Sequence, residues 1–362
     1  MNKKYPVFIG ILLALAVILS GCASGLTAAS WPAMTADANN AYLAGGPYVY
    51  AVNLQTGAQV WRFPDKASAS PFDATPVLTS DGQLIVGGFD KKLYSLNLQT
   101  GKSNWQFTAA RDRWIGGALV LDKMIYAPNA DYNLYALNLQ GQLQWTFEAD
   151  QSLWGVPVSD GANIYFGTLG HKVYAVNAQT GKQIWMQKVD GAVLGSPKVG
   201  NDGSLYVGSY AGTIYALNTS NGVVRWSSSA SSWIWSGPLL DGGNLYIGDA
   251  NGKLWAFSVS NGAKVWKQDL QGAIIGTPLS TGNSLVTATT MLNAPSAGSV
   301  YFLDSTGKIL HTIPLPGSSQ VYANPVLAGN IILIAPTGQA TDPILLAIDS
   351  AGAIKWSFIP PK

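Results

Sequence analysis

Large apolar residues alternate with small or polar ones in short runs along most of the chain. In residues 157–187, "PVSDGANIYFGTLGHKVYAVNAQTGKQIWMQ", four such runs are separated by turns rich in Gly, Asn and Asp. This period of two predicts four short β-strands, and Gly181 supplies the positive φ that a tight hairpin needs. No segment shows a convincing helical period. The pattern therefore predicts an all-β chain.

The four-strand unit repeats along the sequence. "YAVNLQTGAQVW" at residues 50–61 returns as "YSLNLQTGKSNW" at 94–105 and as "YAVNAQTGKQIW" at 174–185, and five further copies make eight. The closing residues lie 40 to 45 positions apart; they are Trp61, Trp105, Trp145, Trp185, Trp226, Trp266 and Trp356, with His311 in the seventh place. A period in the low forties with strand-like content is typical of propeller blades.

These observations predict an eight-bladed β-propeller of four-stranded antiparallel blades over residues 32–362. Blades packed face to face around an axis bury both faces of each sheet and leave only short edges. We expect each closing Trp to dock its blade on the next one and to donate its indole N–H to a backbone carbonyl. His311 stands in a docking position, and we expect it to be structural.

The copies resemble the tryptophan-docking repeat of propellers that bind pyrroloquinoline quinone (PQQ). The match consists of Ala51, Asn53, Thr56, Gly57 and Trp61 in the first copy. Eight matches in register favour the PQQ-like fold strongly and say little about function, because one fold serves many functions.

Two groups of proteins carry this repeat. Resemblance to the PQQ-dependent dehydrogenases implies a vicinal Cys-Cys disulfide, a bound Ca²⁺ and a catalytic Asp. The chain has one cysteine and no clustered loop of oxygen ligands. Its two histidines, His171 in a loop and His311, cannot form a His-rich metal site. We expect no cofactor, no metal and no enzymatic activity.

The second group consists of the propeller lipoproteins typified by BamB. That resemblance implies a non-enzymatic scaffold in outer-membrane β-barrel assembly, with a BamA-like barrel-assembly protein as its partner. It assigns no contact residues, because the repeat is shared by proteins with other partners.

The amino terminus reads as a lipoprotein signal. Residues 1–21 have a basic end, an apolar run and small residues before Cys22. "LSGC" resembles a lipobox, which implies lipidation of Cys22 and a short tether over residues 22–31. We expect an exported protein on the outer membrane, facing the periplasm, in a two-membrane cell, and on the outer face of the cytoplasmic membrane otherwise. An ordinary secreted protein is the alternative.

Removal of the signal changes the charge balance. Lys3 and Lys4 leave with it, which reduces the 21 basic residues to 19, equal to the 19 acidic ones. No basic field remains to bind nucleic acid.

The other aromatic residues suggest a site. Several precede the first strand of a blade, where the chain crosses from rim to axis; they are Phe72, Trp114, Trp154, Trp233, Trp235 and Tyr322, together with Trp31. We expect them to form a collar at the channel mouth. The collar is either a plug for a wide axis or a site for an extended peptide. A glycan or small ligand bound at the cell surface is the alternative function.

Overall fold

The computed structural model describes residues 32–292 and 296–361, and these residues form a ring of eight four-stranded antiparallel sheets. The predicted all-β, eight-bladed propeller is confirmed. Cys22, Trp31, the signal and the tether lie outside the described residues. Within the described ranges there is no helix long and apolar enough to cross a membrane.

The blades use consecutive strands in order. The first four blades contain β1–β4 (Ala33–Ala36, Asn40–Gly45, Tyr48–Asn53, Gln59–Phe63), β5–β8 (Val77–Leu78, Gln83–Gly87, Leu93–Asn97, Ser103–Phe107), β9–β12 (Leu119–Leu121, Met124–Pro128, Asn133–Asn138, Leu143–Glu148) and β13–β16 (Val158–Ser159, Asn163–Gly167, Lys172–Asn177, Gln183–Lys188).

The next three contain β17–β20 (Lys198–Val199, Ser204–Gly208, Thr213–Asn218, Val224–Ser229), β21–β24 (Leu239–Asp241, Asn244–Gly248, Lys253–Ser258, Lys264–Asp269) and β25–β28 (Leu279–Ser280, Leu285–Ala288, Ser299–Leu303, Ile309–Pro314). Blade 8 contains β30, β31, β33 and β34 (Val326–Ala328, Ile331–Ile334, Leu345–Asp349, Ile354–Phe358). An additional small sheet pairs β29 (Gln320–Val321) with β32 (Pro336–Thr337).

The cores lie between neighbouring blades. The second and third strands of each blade are almost entirely buried, and their side chains meet those of the next blade in separate apolar clusters. No strand is exchanged where the ring closes: blade 1 packs directly on blade 8, with Met34 and Leu43 in the same cluster as Leu333 and Phe358. Apolar burial between blades, which is the main stabilising contribution in such a ring, thus closes the circle as well.

The connections divide between the two ends of the ring. Because adjacent strands are antiparallel, the turns between strands 2 and 3 and the connections from strand 4 to the next blade share one end, which we call the mouth face. The turns between strands 3 and 4 lie on the opposite face; they read Asn-x-x-Thr-Gly in blades 1, 2 and 4 and end in Gly in every blade.

Candidate functional site

The seven closing tryptophans lie at the joints between blades. Each indole Nε1 donates to a backbone carbonyl of the following blade over 2.7–3.1 Å; the acceptors, from Trp61 to Trp356 in order, are Leu98, Leu139, Ala178, Thr219, Val259, Ser305 and Leu54. Trp356 thereby joins blade 8 to blade 1 across the whole length of the chain.

Each tryptophan packs on the turn between strands 3 and 4 of the following blade, which we call the receiving turn. The geometry of this turn explains which residues the repeat keeps. Asn177 Oδ1 accepts hydrogen bonds from the amides of Gln179 and Thr180 and from the Thr180 hydroxyl, which holds the turn shut. Gly181 follows with a φ of +67°, and a Cβ there would stand 2.6 Å from the ring of Trp145. The glycine is required twice, by its backbone conformation and by the ring that lies on it.

His311 lies at the joint between blades 7 and 8, in the place of a tryptophan. Its exposed ring contacts Phe302 of its own blade, with centroids 6.0 Å apart, and makes no side-chain hydrogen bond with any described residue. Gly352, the glycine that a tryptophan would cover, has Ile313 beside it instead.

A cavity of about 430 Å³ lies on the axis at the mouth face. Two rings of residues line it, and both are counted from the Pro that precedes the first strand of a blade (Ala118 in blade 3). The first ring consists of the residues three positions before that Pro: Asp73, Ile115, Trp154, Leu194, Trp235, Ile275 and Tyr322. The second ring consists of the residues immediately before it: Thr75, Gly117, Val156, Ser196, Gly237, Thr277 and Asn324.

Glycines let the connections meet at the axis. A Cβ on Gly155 would stand 2.7 Å from the carbonyl oxygen of Gly195, and one on Gly195 would stand 2.5 Å from that of Trp235. Backbone therefore lies against backbone around the axis, and the side chains of the two rings project from a rigid frame.

The structure places four of the six described collar residues at the cavity and the other two in the core. Trp154, Trp235 and Tyr322 belong to the first ring, and Trp233 also lines the cavity. Phe72 and Trp114 do not belong to the collar. They are only 2% and 1% exposed and pack in the cores of blades 1–2 and 2–3.

Phe72 and Trp114 are buried because, in the segment before each blade, successive side chains alternate between the cavity and the core as they do in a strand. Phe72 and Trp114 stand four positions before the Pro or Ala, where the other blades place buried aliphatic residues, among them Leu153 and Ile234. A shift of one residue turns a side chain from the cavity to the core. The collar prediction also missed Asp73, Leu194 and Ile275, which the distance to the following proline would have identified, and Ile115, which precedes Ala118 and has no such marker.

Four aromatic side chains form a continuous series from the axis toward the rim. Trp154 contacts Trp235 with ring centroids 6.1 Å apart, Trp235 contacts Trp233 at 6.3 Å, and Trp233 stacks on Tyr210 at 5.1 Å. We call this series the aromatic ladder. Tyr210, in the turn between the second and third strands of blade 5, is 45% exposed. The ladder gives blades 4–6 an aromatic surface on the mouth face.

The cavity carries little charge. Asp73 is the one charged residue in the described lining, which contains no Lys or Arg. Burial raises the pKa of the Tyr322 phenol, which keeps that group neutral. Among the described residues no three His, Cys, Asp or Glu side chains converge as metal ligands. His171 lies in an exposed turn with a φ of +62°.

The chain resembles known propellers in sequence and structure. A family model described as outer membrane protein assembly factor BamB matches residues 46–153, 140–232 and 195–357. The crystal structure of BamB from Moraxella catarrhalis superposes with a TM-score of 0.70 at 17% identity, covering 83% of this chain and 92% of that one. The computationally designed Ika8 protein superposes with a TM-score of 0.71 at 15% identity, covering 87% and 95%. No curated protein matches the sequence.

Proposed function

The chain belongs to the family of the outer membrane protein assembly factor BamB, and from this membership we propose that it is a non-catalytic scaffold for protein partners. The family description carries the proposal of a role in outer-membrane protein assembly. We further propose that the protein is exported and anchored through a lipid on Cys22, as its lipobox-like sequence indicates. The partner that this role implies is a BamA-like barrel-assembly protein.

The proposal of a docking site rests on the aromatic ladder. Trp233 and Tyr210 stack on each other at the rim end of the ladder, where Tyr210 is open to solvent. Such rigid aromatic side chains are enriched among the residues that dominate binding energy at protein interfaces. They also lose little conformational entropy on binding, because they are already held against each other. The ladder therefore offers a preorganised surface for an apolar segment of a partner.

The experiment measures co-purification of the full-length protein with the barrel-assembly protein from detergent-solubilised membranes. We expect Trp233→Ala and Tyr210→Ala each to weaken the association at least about tenfold. Tyr132→Ala is the matched control, because Tyr132 is a 40% exposed tyrosine in the equivalent turn of blade 3, outside the ladder. If both ladder variants keep the partner as the control does, docking occurs on another surface.

Anchoring is tested separately. Cys22→Ser should release the protein from membranes or leave the signal uncleaved, since the thiol is the acceptor for the lipid. If the variant fractionates and migrates like the unaltered protein, the protein is not a lipoprotein. The ladder proposal survives that result.

A further inference from the structure

The axial cavity shares Trp154 and Trp235 with the ladder, but it also contains polar groups that protein docking on the ladder does not use. We propose that it binds a neutral, hydroxyl-rich ligand of the sugar class, such as one end of a glycan. The ligand would lie on the axis, between the aromatic residues of the first ring and the polar residues of the second. This site goes beyond the proposed scaffold function.

The first ring supplies flat apolar surface. Trp154 and Trp235 present tilted indoles 6.1 Å apart, and Tyr322 stands in the same ring on blade 8. Sugar rings combine C–H faces, which pack on aromatic rings, with hydroxyl groups along their edges. The mixture of apolar lining with a few placed polar groups is typical of small-molecule sites.

The second ring supplies oriented hydrogen-bond donors. Ser196 Oγ accepts from the amide of Val156 at 2.9 Å, and Thr277 Oγ1 accepts from the amide of Gly237 at 2.9 Å. Asn324 Oδ1 accepts from the amide of Thr277 at 2.7 Å. These bonds fix the three side chains and use their acceptor oxygens. The two hydroxyl protons and the Asn324 NH₂ group donate to no described residue, and the groups stand in the lining of the cavity.

Charge and size narrow the class of ligand. The described lining has no Lys or Arg to neutralise a phosphate or a carboxylate, so an anionic ligand would be buried without a counter-ion. Uncharged hydroxyl groups instead match the Ser, Thr and Asn donors. The volume of about 430 Å³ lies at the lower end of the range of about 300–1,000 Å³ found for ligand pockets. A mono- or disaccharide is the size that fits.

The test is titration of the full mature protein with three soluble sugars, N-acetylglucosamine, N,N′-diacetylchitobiose and maltose, followed by calorimetry and ligand-observed NMR. We expect saturable binding of at least one of them, with a Kd on the order of 1 mM or lower. Asn324→Asp should weaken it at least about tenfold, because the carboxylate keeps the acceptor for Thr277 but removes both donors. Its melting temperature should stay unchanged. Trp154→Ala should weaken binding to a similar extent.

The two sites are separated by crossed variants. Tyr210→Ala should weaken protein docking and leave sugar binding intact, since Tyr210 does not line the cavity. Asn324→Asp should do the reverse. Absence of saturable binding for all three sugars at up to about 10 mM overturns the sugar site. Binding that neither Asn324→Asp nor Trp154→Ala alters overturns it too.

Discussion

The joint between blades 4 and 5 and the joint between blades 7 and 8 hold the same ring together by different means. In the first, Trp185 is 7% exposed and donates to the carbonyl of Thr219 at 2.7 Å. Tyr165 lies against its ring, with centroids 5.8 Å apart, and donates its hydroxyl proton to Asp160 at 2.7 Å. The Trp185 hydrogen bond crosses the joint, and the Tyr165–Asp160 bond, which lies within blade 4, holds in place the ring that packs against Trp185.

At the joint between blades 7 and 8 both aromatic residues are absent. His311 replaces the tryptophan, and Val286 takes the register position of Tyr165, since it pairs with Leu279 as Tyr165 pairs with Val158. The joint instead holds a mainly aliphatic cluster that includes Val321, Ile332 and Ile348, with Phe302 as a buried aromatic member. The β29–β32 sheet lies beside it, and the Val321 amide donates to Thr290 Oγ1 of blade 7 at 3.1 Å. We call the buried tryptophan and its hydrogen bond to the next blade the tryptophan clamp. At the joint between blades 7 and 8, apolar burial spread over many residues replaces this clamp.

The largest expected effect breaks the first joint. Trp185→Ala removes a buried aromatic side chain and its hydrogen bond, and such truncations cost about 3–5 kcal/mol. His311→Ala removes an exposed ring, and changes of that kind usually stay within about 0.5 kcal/mol. Denaturant unfolding of the two variants side by side measures the difference. Equal losses would mean that the histidine joint depends on its side chain as much as the tryptophan joint does.

The second-largest expected effect concerns Gly181, which lies under the ring of Trp145. Gly181→Ala introduces a Cβ at a φ of +67° and 2.6 Å from the Trp145 ring. The left-handed conformation costs about 1–2 kcal/mol in L-residues, and overpacking costs about 1–3 kcal/mol more. Gly329→Ala is the control, because Gly329 has a φ of +61° with nothing within 4 Å of a Cβ. We expect the control to lose only the backbone contribution, as measured by free energies of unfolding. Matching losses would show that the ring moves aside freely.

These joints show why the fold could be predicted from the sequence. The Gly at the end of each turn and the Trp that covers it are each required by local geometry, so a Gly recurs in all eight turns and a Trp closes seven of the eight copies, which lie 40 to 45 residues apart. The histidine joint lacks this signature. Its aliphatic cluster and the β29–β32 sheet are made of ordinary apolar residues, and no periodic pattern distinguishes them.

The site could be predicted only in part. Trp154, Trp235 and Tyr322 were identifiable as unusual residues before a blade, but Ile115 and Leu194 share their ring without any distinctive chemistry. Residue type alone also cannot separate cavity from core, because those positions alternate one residue apart. The polar second ring depends on contacts between blades, which no single repeat reveals.

The tyrosine–aspartate pairs of the aromatic joints predict a pH dependence. Burial, and then the hydrogen bond to Asp160, raises the pKa of Tyr165 to about 12. Burial acts to raise the pKa of Asp160, but the hydrogen bonds from Tyr165 and from the Asn163 and Ala162 amides outweigh it and lower that pKa below 3.8.

The stability from Tyr165 is therefore complete below pH 10 and is lost as the pH rises toward 12. That from Asp160 is present above pH 3.8 and is lost as the pH falls through its lowered pKa. Tyr165→Phe should reduce the slope of the alkaline limb of a curve of stability against pH, and also the acid limb, while other tyrosines with raised pKa values such as Tyr42 and Tyr206 keep the rest of the alkaline slope. Val286→Ala should shift the whole curve without changing its slopes. An unchanged alkaline slope in Tyr165→Phe would contradict the assignment.

The smallest expected effect is a gain in stability, from introducing a tryptophan at the joint between blades 7 and 8, which lacks one. The turn of blade 8 that would receive a tryptophan has the form of its counterpart in blade 7. The Gly352 amide donates to the backbone carbonyl of Asp349, as the Gly307 amide donates to the backbone carbonyl of Asp304 beneath Trp266. Ile313 occupies the space of the missing indole, with its Cδ1 atom 3.3 Å from where a Gly352 Cβ would lie. In blade 6 the residue two positions after the tryptophan is Gln268, and the three atoms nearest to where a Gly307 Cβ would lie all belong to Trp266.

We therefore expect His311→Trp to add about 1 kcal/mol when Ile313→Gln has cleared the space, and less when Ile313 remains. The double-mutant cycle over positions 311 and 313 measures this coupling through free energies of unfolding. A gain confined to the cleared background means that the aliphatic joint and the tryptophan clamp are alternative solutions that compete for one space. Equal gains in both backgrounds would mean that the indole finds room elsewhere, and a loss in both would mean that the blade 8 turn cannot accept a clamp despite its matching geometry.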